Sequence, residues 1–207
     1  MSIGIFGTKI GTTQVFSATG LAVPVTVIHA GPCLVTQLKS HQKDGYNAIQ
    51  IGYSERNFNK FRRPQLGHLK KNKLPLLQHL GEYKILPTET YSVGQQITVE
   101  NFEIGQLVNV TGKSLGKGFS GNQKRHHFKR GPMTHGSKNH RAPGSIGPGT
   151  TPGRVFPGKL MAGRLGGKKT TVSNVKVLGI DSKQNLLVLQ GSVPGKPGNL
   201  LRIVVSR

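Results

Sequence analysis

The feature that most constrains this chain is a long basic stretch without a single acidic residue. Between Ile104 and Ile180 the sequence has no Asp or Glu, but it has fourteen Lys and Arg, sixteen Gly, five Pro and four His. Positive charge alone repels itself unless a polyanion lies against it. A segment this rich in Gly and Pro also has too few apolar residues to build a core. The stretch therefore predicts a basic arm that becomes ordered on nucleic acid.

The whole chain shares this excess of positive charge. Its 207 residues include 29 Lys and Arg against 7 Asp and Glu, which gives a formal net charge of +22. Such an excess indicates a nucleic acid or an anionic membrane as partner. We expect no membrane partner, because no apolar run reaches the roughly 20 residues that a spanning helix needs and the cations do not line one face of an amphipathic helix.

The single cysteine and the first residues bear on the compartment. Cys33 has no second cysteine to pair with, and a buried, inert thiol in a reducing compartment is the simplest interpretation. The first residues lack the pattern of a signal or transit peptide, so we expect the protein to function where it is made.

Strand-like segments separated by Gly and Pro turns predict a mainly β fold, a small barrel or sandwich. These segments are residues 21–30, 46–53, 106–110, 172–180, 185–193 and 200–205. The run Leu186 to Leu189 is continuously apolar, which indicates a strand buried on both faces.

Two insertions interrupt this β pattern. Residues 54–87 combine cations with leucines, and we interpret them as short helical or irregular pieces with a basic outer face that cover one end of the barrel. Residues 112–170 form the arm, and strand-like sequence resumes after it. The predicted organisation is a body of residues 1–111 and 171–207, from which the arm is an excursion with its tip at about 143–154.

The arm contains two imperfect nucleotide-binding patterns. Gly112 begins a Gly-Lys-Ser triplet, but the first glycine of a phosphate-binding loop would fall on Leu107. A Gly-x-Gly-x-x-Gly pattern begins at Gly116, yet no amphipathic helix follows and Arg141 stands where an acid is needed. Flexible backbone that can approach phosphates closely is the better interpretation, and we expect no cofactor.

The densest cationic cluster runs from Lys124 to Arg130, with four fixed cations in seven residues. Arg offers bidentate donors to phosphate, Lys offers a mobile charge, and the interleaved His and Phe can stack on RNA bases. A solvated surface loop is the simpler alternative, but the acid-free surroundings favour RNA. The predicted contacts are Lys113, Lys117, Lys124, Arg125, His126, His127, Phe128, Lys129, Arg130, His135, Lys138, His140, Arg141, Arg154, Lys159, Arg164, Lys168 and Lys169 in or beside the arm, and Arg56, Lys60, Arg62 and Arg63 in the first insertion.

The four histidines of the arm raise the question of a metal site. The arm supplies no Cys and no carboxylate, and the surrounding cations disfavour a divalent ion. We therefore expect no metal, and we assign these imidazoles to phosphate or base contacts.

Residues 143–153 have no charge and almost no bulk, as a hairpin tip in a crowded space requires. A disordered linker is the alternative. Because basic limbs flank the segment on both sides, we favour a slim probe inserted between RNA helices. The predicted tip residues are Ser145, Ile146, Gly147, Pro148, Gly149, Thr150, Thr151, Pro152 and Gly153.

The seven carboxylates are scattered and none falls in a recognisable catalytic spacing. We therefore expect no enzyme and no small-molecule substrate. Two rival hypotheses remain beside a structural RNA-binding role. One is a free-standing RNA chaperone or architectural nucleic-acid-binding protein, with the tip as a wedge. The other is an enzyme that uses the arm as a phosphate-binding lid.

Four sequence blocks resemble the family of the third protein of the large ribosomal subunit, in its bacterial and organellar form. The resemblance covers essentially the whole chain. The blocks run from Ile3 to Gln14, from Lys117 to Gly121 with Lys124-Arg125-His126, from Thr134 to Ser137 with His140-Arg141, and from Pro143 to Gly147 through Met161-Ala162-Gly163.

The resemblance implies a barrel of the translation-protein type on the solvent side of the large subunit and a looped extension toward the peptidyl transferase centre. It implies binding to large-subunit rRNA, notably its 3′-terminal domain, early in assembly, and contacts with neighbouring ribosomal proteins. It implies that the protein is not a catalyst and does not form homo-oligomers. Lys124, Arg125, His126, Lys129, Arg130, His135, His140 and Arg141 would contact rRNA, and residues 145–154 would lie nearest the catalytic centre.

The sequence departs from the family pattern in two places. Some bacterial members carry a methylated glutamine at the tip, but residues 147–151 contain no glutamine. Thr12 stands where many relatives have Met. The short chain resembles bacterial, cyanobacterial or plastid members, so the expected location is the ribosome of a bacterial cytoplasm or a plastid stroma.

Overall fold

The computed structural model describes residues 4–85 and 91–206, and the chain forms two compact units. The body unit comprises Met1–Lys113 and Lys169–Arg207, and the arm unit comprises Ser114–Lys168. The strands, numbered along the chain, are β1 (Ile5–Phe16), β2 (Ala22–Ala30), β3 (Cys33–Lys39), β4 (Ala48–Glu55), β5 (Leu77–Lys84), β6 (Gln96–Ile97), β7 (Leu107–Lys113), β8 (Phe119–Ser120), β9 (Gly163–Arg164), β10 (Lys169–Asp181), β11 (Leu186–Gln190) and β12 (Leu200–Val205). The α-helices are α1 (His41–Asp44), α2 (Arg63–Lys71) and α3 (Asn122–His126), and two 3₁₀ turns span Phe58–Lys60 and Val99–Asn101.

Six strands of the body unit close into an antiparallel barrel in the order β1–β12–β7–β10–β11–β2. Alternation of side chains along these strands builds its core. Ile203 on β12 lies opposite Ile5 on β1 and opposite Val110 on β7, and all three are fully buried. Burying each such side chain stabilises the fold by about 1.5–3 kcal/mol.

The second sheet of the body unit has four strands in the order β5–β4–β3–β6. Most of its buried apolar residues belong to one hydrophobic cluster with those of the barrel. Phe6 of β1 packs edge-on against Tyr83 of β5, with ring centroids 5.8 Å apart. Gly81 is opposite Ile51 in the β4–β5 ladder, and a side chain at this glycine would collide with the Phe6 ring.

The mainly β class predicted from the sequence is confirmed, and a strand lies at each of the six predicted segments. The interpretation of residues 54–87, of which 86 and 87 lie outside the described residues, was wrong in part. It covers the 3₁₀ turn and α2, as expected, but residues 77–84 form β5 and pair with β4 along its length. The alternation of β5 was hidden in the sequence because its more buried face includes His79 and Gly81, whereas Leu80 is on the exposed face.

The prediction that β11 is buried on both faces was also wrong. Leu187 and Leu189 are fully buried, but Leu186 and Val188 are only half-buried. β11 is part of a barrel wall with one side toward the core, so the second apolar face is only partly covered. Cys33 is fully buried, as expected, and its Sγ lies 3.7 Å from the carbonyl oxygen of Phe6.

Candidate nucleic-acid interface

The arm unit has no hydrophobic core. The structure describes all of residues 114–168, and within them only Ser120 and Asn122 are buried, both of them polar. Its large apolar side chains are exposed or half-buried instead, with Phe119 80% exposed. Burial of apolar surface is the main force that orders a protein segment, so the arm unit must take its order from other interactions.

Backbone hydrogen bonds hold the two ends of the arm unit together. The amide of Ser114 donates to the carbonyl of Lys168, and the amide of Lys117 donates to the carbonyl of Leu165, both at 2.9 Å. Beyond them β8 pairs with β9, with Phe119 opposite Arg164. This short ladder brings the predicted contacts Lys117, Arg164 and Lys168 to one end of the unit.

Two predicted contact residues share one acceptor in the next part of the arm unit. The guanidinium of Arg125 donates to the carbonyl oxygen of Met161 at 2.7 Å, and His126 Nε2 lies 3.0 Å from the same oxygen. A side chain at Gly163 would collide with the Arg125 guanidinium. Arg125 therefore has a positioning role between the outgoing and returning limbs, in addition to its charge.

α3 carries the first part of the predicted cluster, Lys124 to His126, and is capped by His127, which has a left-handed backbone with φ of 59°. The rings of His126 and Phe128 lie 6.2 Å apart, and Phe128 is half-buried. Lys124, Lys129 and Arg130 are exposed. The cluster thus divides into side chains that hold the arm together and side chains that face outward.

Two further segments of the arm unit, around Gly131 and around His140, lie against each other. The amide of Gly131 donates to the carbonyl of His140 at 3.1 Å, and His140 Nδ1 lies 3.1 Å from the carbonyl oxygen of Pro132. A side chain at Gly131 would collide with the carbonyl oxygen of Asn139. Of the predicted contacts here, His135, Lys138 and Arg141 are exposed, whereas His140 is half-buried.

The predicted tip makes few contacts of its own. All of residues 141–162 are exposed, and they include the nine tip residues together with Arg154 and Lys159. The amide of Gly153 donates to the carbonyl of Gly149 at 3.2 Å, and the Ser145 hydroxyl lies 3.4 Å from the amide and carbonyl of Gly147. These local hydrogen bonds define turns, and no apolar packing supports them.

The arm unit contains no carboxylate to neutralise its eleven Lys and Arg. Like charges also meet in the body unit at the ends of β7 and β10, where Lys113 and Lys169 are direct cross-strand partners. Such a pair is destabilising unless an anion lies between or beside the two ammonium groups. Both features favour a polyanionic ligand.

The cations of the first insertion lie in the body unit. Arg56, Lys60, Arg62 and Arg63 are exposed, around the 3₁₀ turn and the start of α2. α2 begins where the backbone amide of Arg62 donates to Gln65 Oε1, and it is anchored by the buried Leu69. These four residues therefore form an exposed basic patch on an ordered support.

The sequence interpretation left out several candidate contacts. Phe119, Met133 and Phe156 are between about half and four-fifths exposed among the cations of the arm unit. There the two phenylalanines can stack on bases, and Met133 can make apolar contact with them. Lys70 lies over the ring of Phe58 at 5.2 Å, beside the basic patch of the body unit. A large apolar residue in a segment that cannot form a core is the signal that would have identified the first group.

Three buried polar atoms of the arm unit have no hydrogen-bond partner within the described protein: Ser120 Oγ, Asn122 Oδ1 and Gln123 Nε2. Buried polar groups are nearly always hydrogen-bonded in stable structures.

Two other kinds of site are absent among the described residues. No group of His, Cys, Asp and Glu there is arranged to hold a metal ion, and no helix there has the length and apolar character of a membrane span.

Comparison with known proteins adds an independent line of observation. Residues 84–187 match the family model described as Ribosomal protein L3. The chain is 58% identical over 203 residues to a large ribosomal subunit protein uL3c from Guillardia theta, covering 98% of this chain and 100% of that protein. It is 58% identical over 207 residues to a large ribosomal subunit protein uL3 from Trichormus variabilis, covering 100% of this chain and 98% of that protein. A uL3c from Pyropia yezoensis is 57% identical over 203 residues, covering 98% of this chain and 99% of that protein.

Proposed function

Because the chain belongs to the ribosomal protein L3 family, we propose that it is a structural constituent of the large ribosomal subunit that binds large-subunit rRNA through its arm unit. One observation carries this proposal: the arm unit has eleven Lys and Arg, no carboxylate and no buried apolar residue. Such a segment is stable only against a polyanion, and rRNA is the polyanion of the ribosome.

The arm unit suits a ligand that surrounds it on several sides. Fixing a residue's backbone costs about 1–2 kcal/mol, and the arm unit offsets little of this by internal packing. Phosphate contacts from both limbs supply the missing free energy. Exposed Phe119 and Phe156 add stacking on bases, and the exposed patch from Arg56 to Arg63 extends the rRNA contact to the body unit.

The finer parts of the proposal come from the family resemblance. The body unit is the anchor, a barrel of the translation-protein type, and it binds the 3′-terminal domain of the rRNA early in assembly. Residues 143–154 extend toward the peptidyl transferase centre, and their lack of charge and bulk supports a place where RNA helices converge. The protein itself is not a catalyst, and it resides in ribosomes of a bacterial cytoplasm or a plastid stroma.

Sedimentation tests this function directly. The chain replaces its relative in a cyanobacterial host, extracts are run on sucrose gradients before and after a high-salt wash, and the chain is detected by blotting. We expect it to migrate with the large subunit and to resist the wash, because buried contacts survive the screening that removes surface charge contacts. Migration at the top of the gradient would favour the RNA-chaperone hypothesis instead.

A matched pair of charge variants then locates the rRNA contacts. Lys124, Lys129, Arg130 and Lys138 are replaced together by Gln, and the control replaces Lys43, Lys176, Lys183 and Lys196, which are equally exposed but lie in the body unit. Both variants lose four positive charges. For rRNA binding measured at several salt concentrations, we expect the slope of log affinity against log salt to be smaller in magnitude by about three in the arm variant. An equal change in the control variant would contradict a specific role for the arm unit.

A further inference from the structure

The hairpin of β1 and β2 is unlike the rest of this basic chain. From Ile10 to Ile28 there are nineteen consecutive residues without Asp, Glu, Lys, Arg or His, the longest such run in the sequence. The uncharged tip of the arm unit has the exposed Arg141 and Arg154 at its ends, whereas Lys9 beside this run is buried and donates to the carbonyl oxygens of Val193 and Gly195. The hairpin therefore lacks the electrostatic attraction that dominates binding to a polyanion.

Among the strands of residues 4–85 and 91–206, none lies beside one edge of this hairpin. β1 pairs with β12 only over Ile5 to Thr8, and the backbone bonds of Lys9 to Gly198 and Asn199 extend that contact by one residue. From Gly11 to Phe16, β1 pairs only with β2 among the strands that the structure describes. We call the opposite side of this segment the hairpin edge.

The register identifies which backbone groups lie on the hairpin edge. Gln14 is opposite Pro24, and the carbonyl of Pro24 accepts a hydrogen bond from the amide of Gly191 next to β11. The backbone carbonyl of Pro24 therefore points away from β1. In an antiparallel ladder, the backbone N–H and carbonyl of its partner Gln14 then point away from β2. By the same alternation Thr12 and Phe16 point outward, so the edge offers three N–H donors and three carbonyl acceptors.

The side chains at this end of the hairpin are apolar and exposed. Phe16 is 66% exposed and Leu21 is 69% exposed, on either side of the tight turn at Ser17 to Gly20, and Val15 is about half exposed. Proteins usually protect a free edge with Lys, Pro or a covering element. The hairpin edge carries no charged residue and no proline, so left bare it is a site of aggregation.

We propose that the hairpin edge docks an extended, apolar segment of a neighbouring large-subunit protein, which adds a strand to β1. The outward backbone groups of Thr12, Gln14 and Phe16 supply the hydrogen bonds, and Phe16 and Leu21 supply apolar contact. The inference rests on the proposed function, since it takes the partner to be a ribosomal protein. It assigns the hairpin to protein and the arm unit to RNA.

Photocrosslinking in purified large subunits tests this assignment. The residue p-benzoylphenylalanine replaces Phe16 in the full chain, and in a matched variant it replaces Phe119, an exposed phenylalanine of the arm unit. We expect the probe at position 16 to form an adduct with another ribosomal protein that resists ribonuclease, and the probe at position 119 to form an adduct with rRNA. An adduct of position 16 with rRNA, with a second copy of this chain, or with nothing would overturn the inference.

A backbone variant separates strand addition from simple side-chain contact. Gln14→Pro removes an outward N–H and leaves the ladder with β2 intact, whereas Gln14→Thr retains the N–H. We expect Gln14→Pro to lower the protein adduct at position 16 at least tenfold and Gln14→Thr to leave it unchanged. Equal adduct yields from the two variants would overturn the inference that the partner adds a strand to β1.

The gradient profile is recorded before irradiation, so that failure of the proposed function can be distinguished from failure of this inference. Absence of the chain from the large-subunit fraction would overturn the proposed function and this inference together. Presence in that fraction without a protein adduct at position 16 would overturn the inference alone.

Discussion

The body unit and the arm unit are ordered by different forces, although they belong to one chain. In the body unit, Ile5, Val110 and Ile203 are fully buried and meet across neighbouring strands. In the arm unit the only buried residues are Ser120 and Asn122. The body unit thus contains the source of its own stability, whereas the arm unit contains no such source, which is why we propose a partner outside the chain.

Charge follows the same division. All seven carboxylates lie outside residues 104–180, and in the body unit Glu82 pairs with Lys39 at 2.6 Å. A hydrogen bond from Lys39, and to a smaller extent one from Tyr46, lowers the pKa of Glu82 below its usual range. A body that mixes charge signs is compatible with water, whereas an arm with one sign is compatible with a polyanion.

The largest expected effect in the free protein comes from equivalent truncations in the two units. Ile203→Ala removes a fully buried side chain and should lower the free energy of unfolding by about 2–5 kcal/mol. Ile146→Ala, at the exposed tip, should change it by less than about 0.5 kcal/mol. Urea unfolding followed by circular dichroism measures both, and a comparable loss in the two variants would show that the arm unit has a core after all.

A pair of glycines gives a smaller test of the same difference. Gly81→Ala places a methyl group against the Phe6 ring and should destabilise the free protein by about 1–3 kcal/mol. Gly116→Ala in the arm unit places its methyl group in open space, so its effect on unfolding should be negligible. Thermal unfolding of the two variants decides between these outcomes, and an unchanged midpoint for Gly81→Ala would mean that Phe6 and Tyr83 can separate without cost.

The two units also differ in how far the sequence predicts them. The arm was evident because its composition alone excludes a core, whatever the fold around it. β1 was not predicted, because Gly7 and Gly11 interrupt its apolar residues and a bulge between Lys9 and Gly11 breaks the period of two. Gly7 is explained only by the fold, since a side chain there would press on Ile28 and the carbonyl of His29.

The candidate interface shows the same limit. The density of the cluster identified Arg125 as a phosphate contact and the interleaved His126 as a contact to RNA, and that assignment stays a prediction. It could not reveal that both reach the carbonyl of Met161, because this contact joins residues 35 or more positions apart. Sequence composition therefore predicts where charge accumulates, whereas the division of those cations between support and ligand contact depends on the limbs coming together.

The smallest expected effect concerns the buried thiol of the body unit. Burial raises the pKa of Cys33 to about 12, and the hydrogen bond to the Phe6 carbonyl acts in the opposite direction. In the unfolded chain a thiol ionises near its ordinary pKa of about 8.5, so above that pH the unfolded state binds fewer protons and stability falls as the pH rises toward 12. At pH 9.5 the loss relative to pH 7.5 should be about 1 kcal/mol.

Cys33→Ala isolates this contribution, because every other group that titrates in the same range is retained. We expect the difference in unfolding free energy between this variant and the unaltered chain to depend on pH above about 8.5 and to be constant below it. A variant that also carries Ser145→Cys moves the only thiol to the exposed tip, where a disulfide reagent at pH 8 should react at least a hundredfold faster than with Cys33. Equal rates at the two positions would mean that the body unit opens as readily as the arm unit, and the contrast between a self-supporting body and a partner-dependent arm would fail.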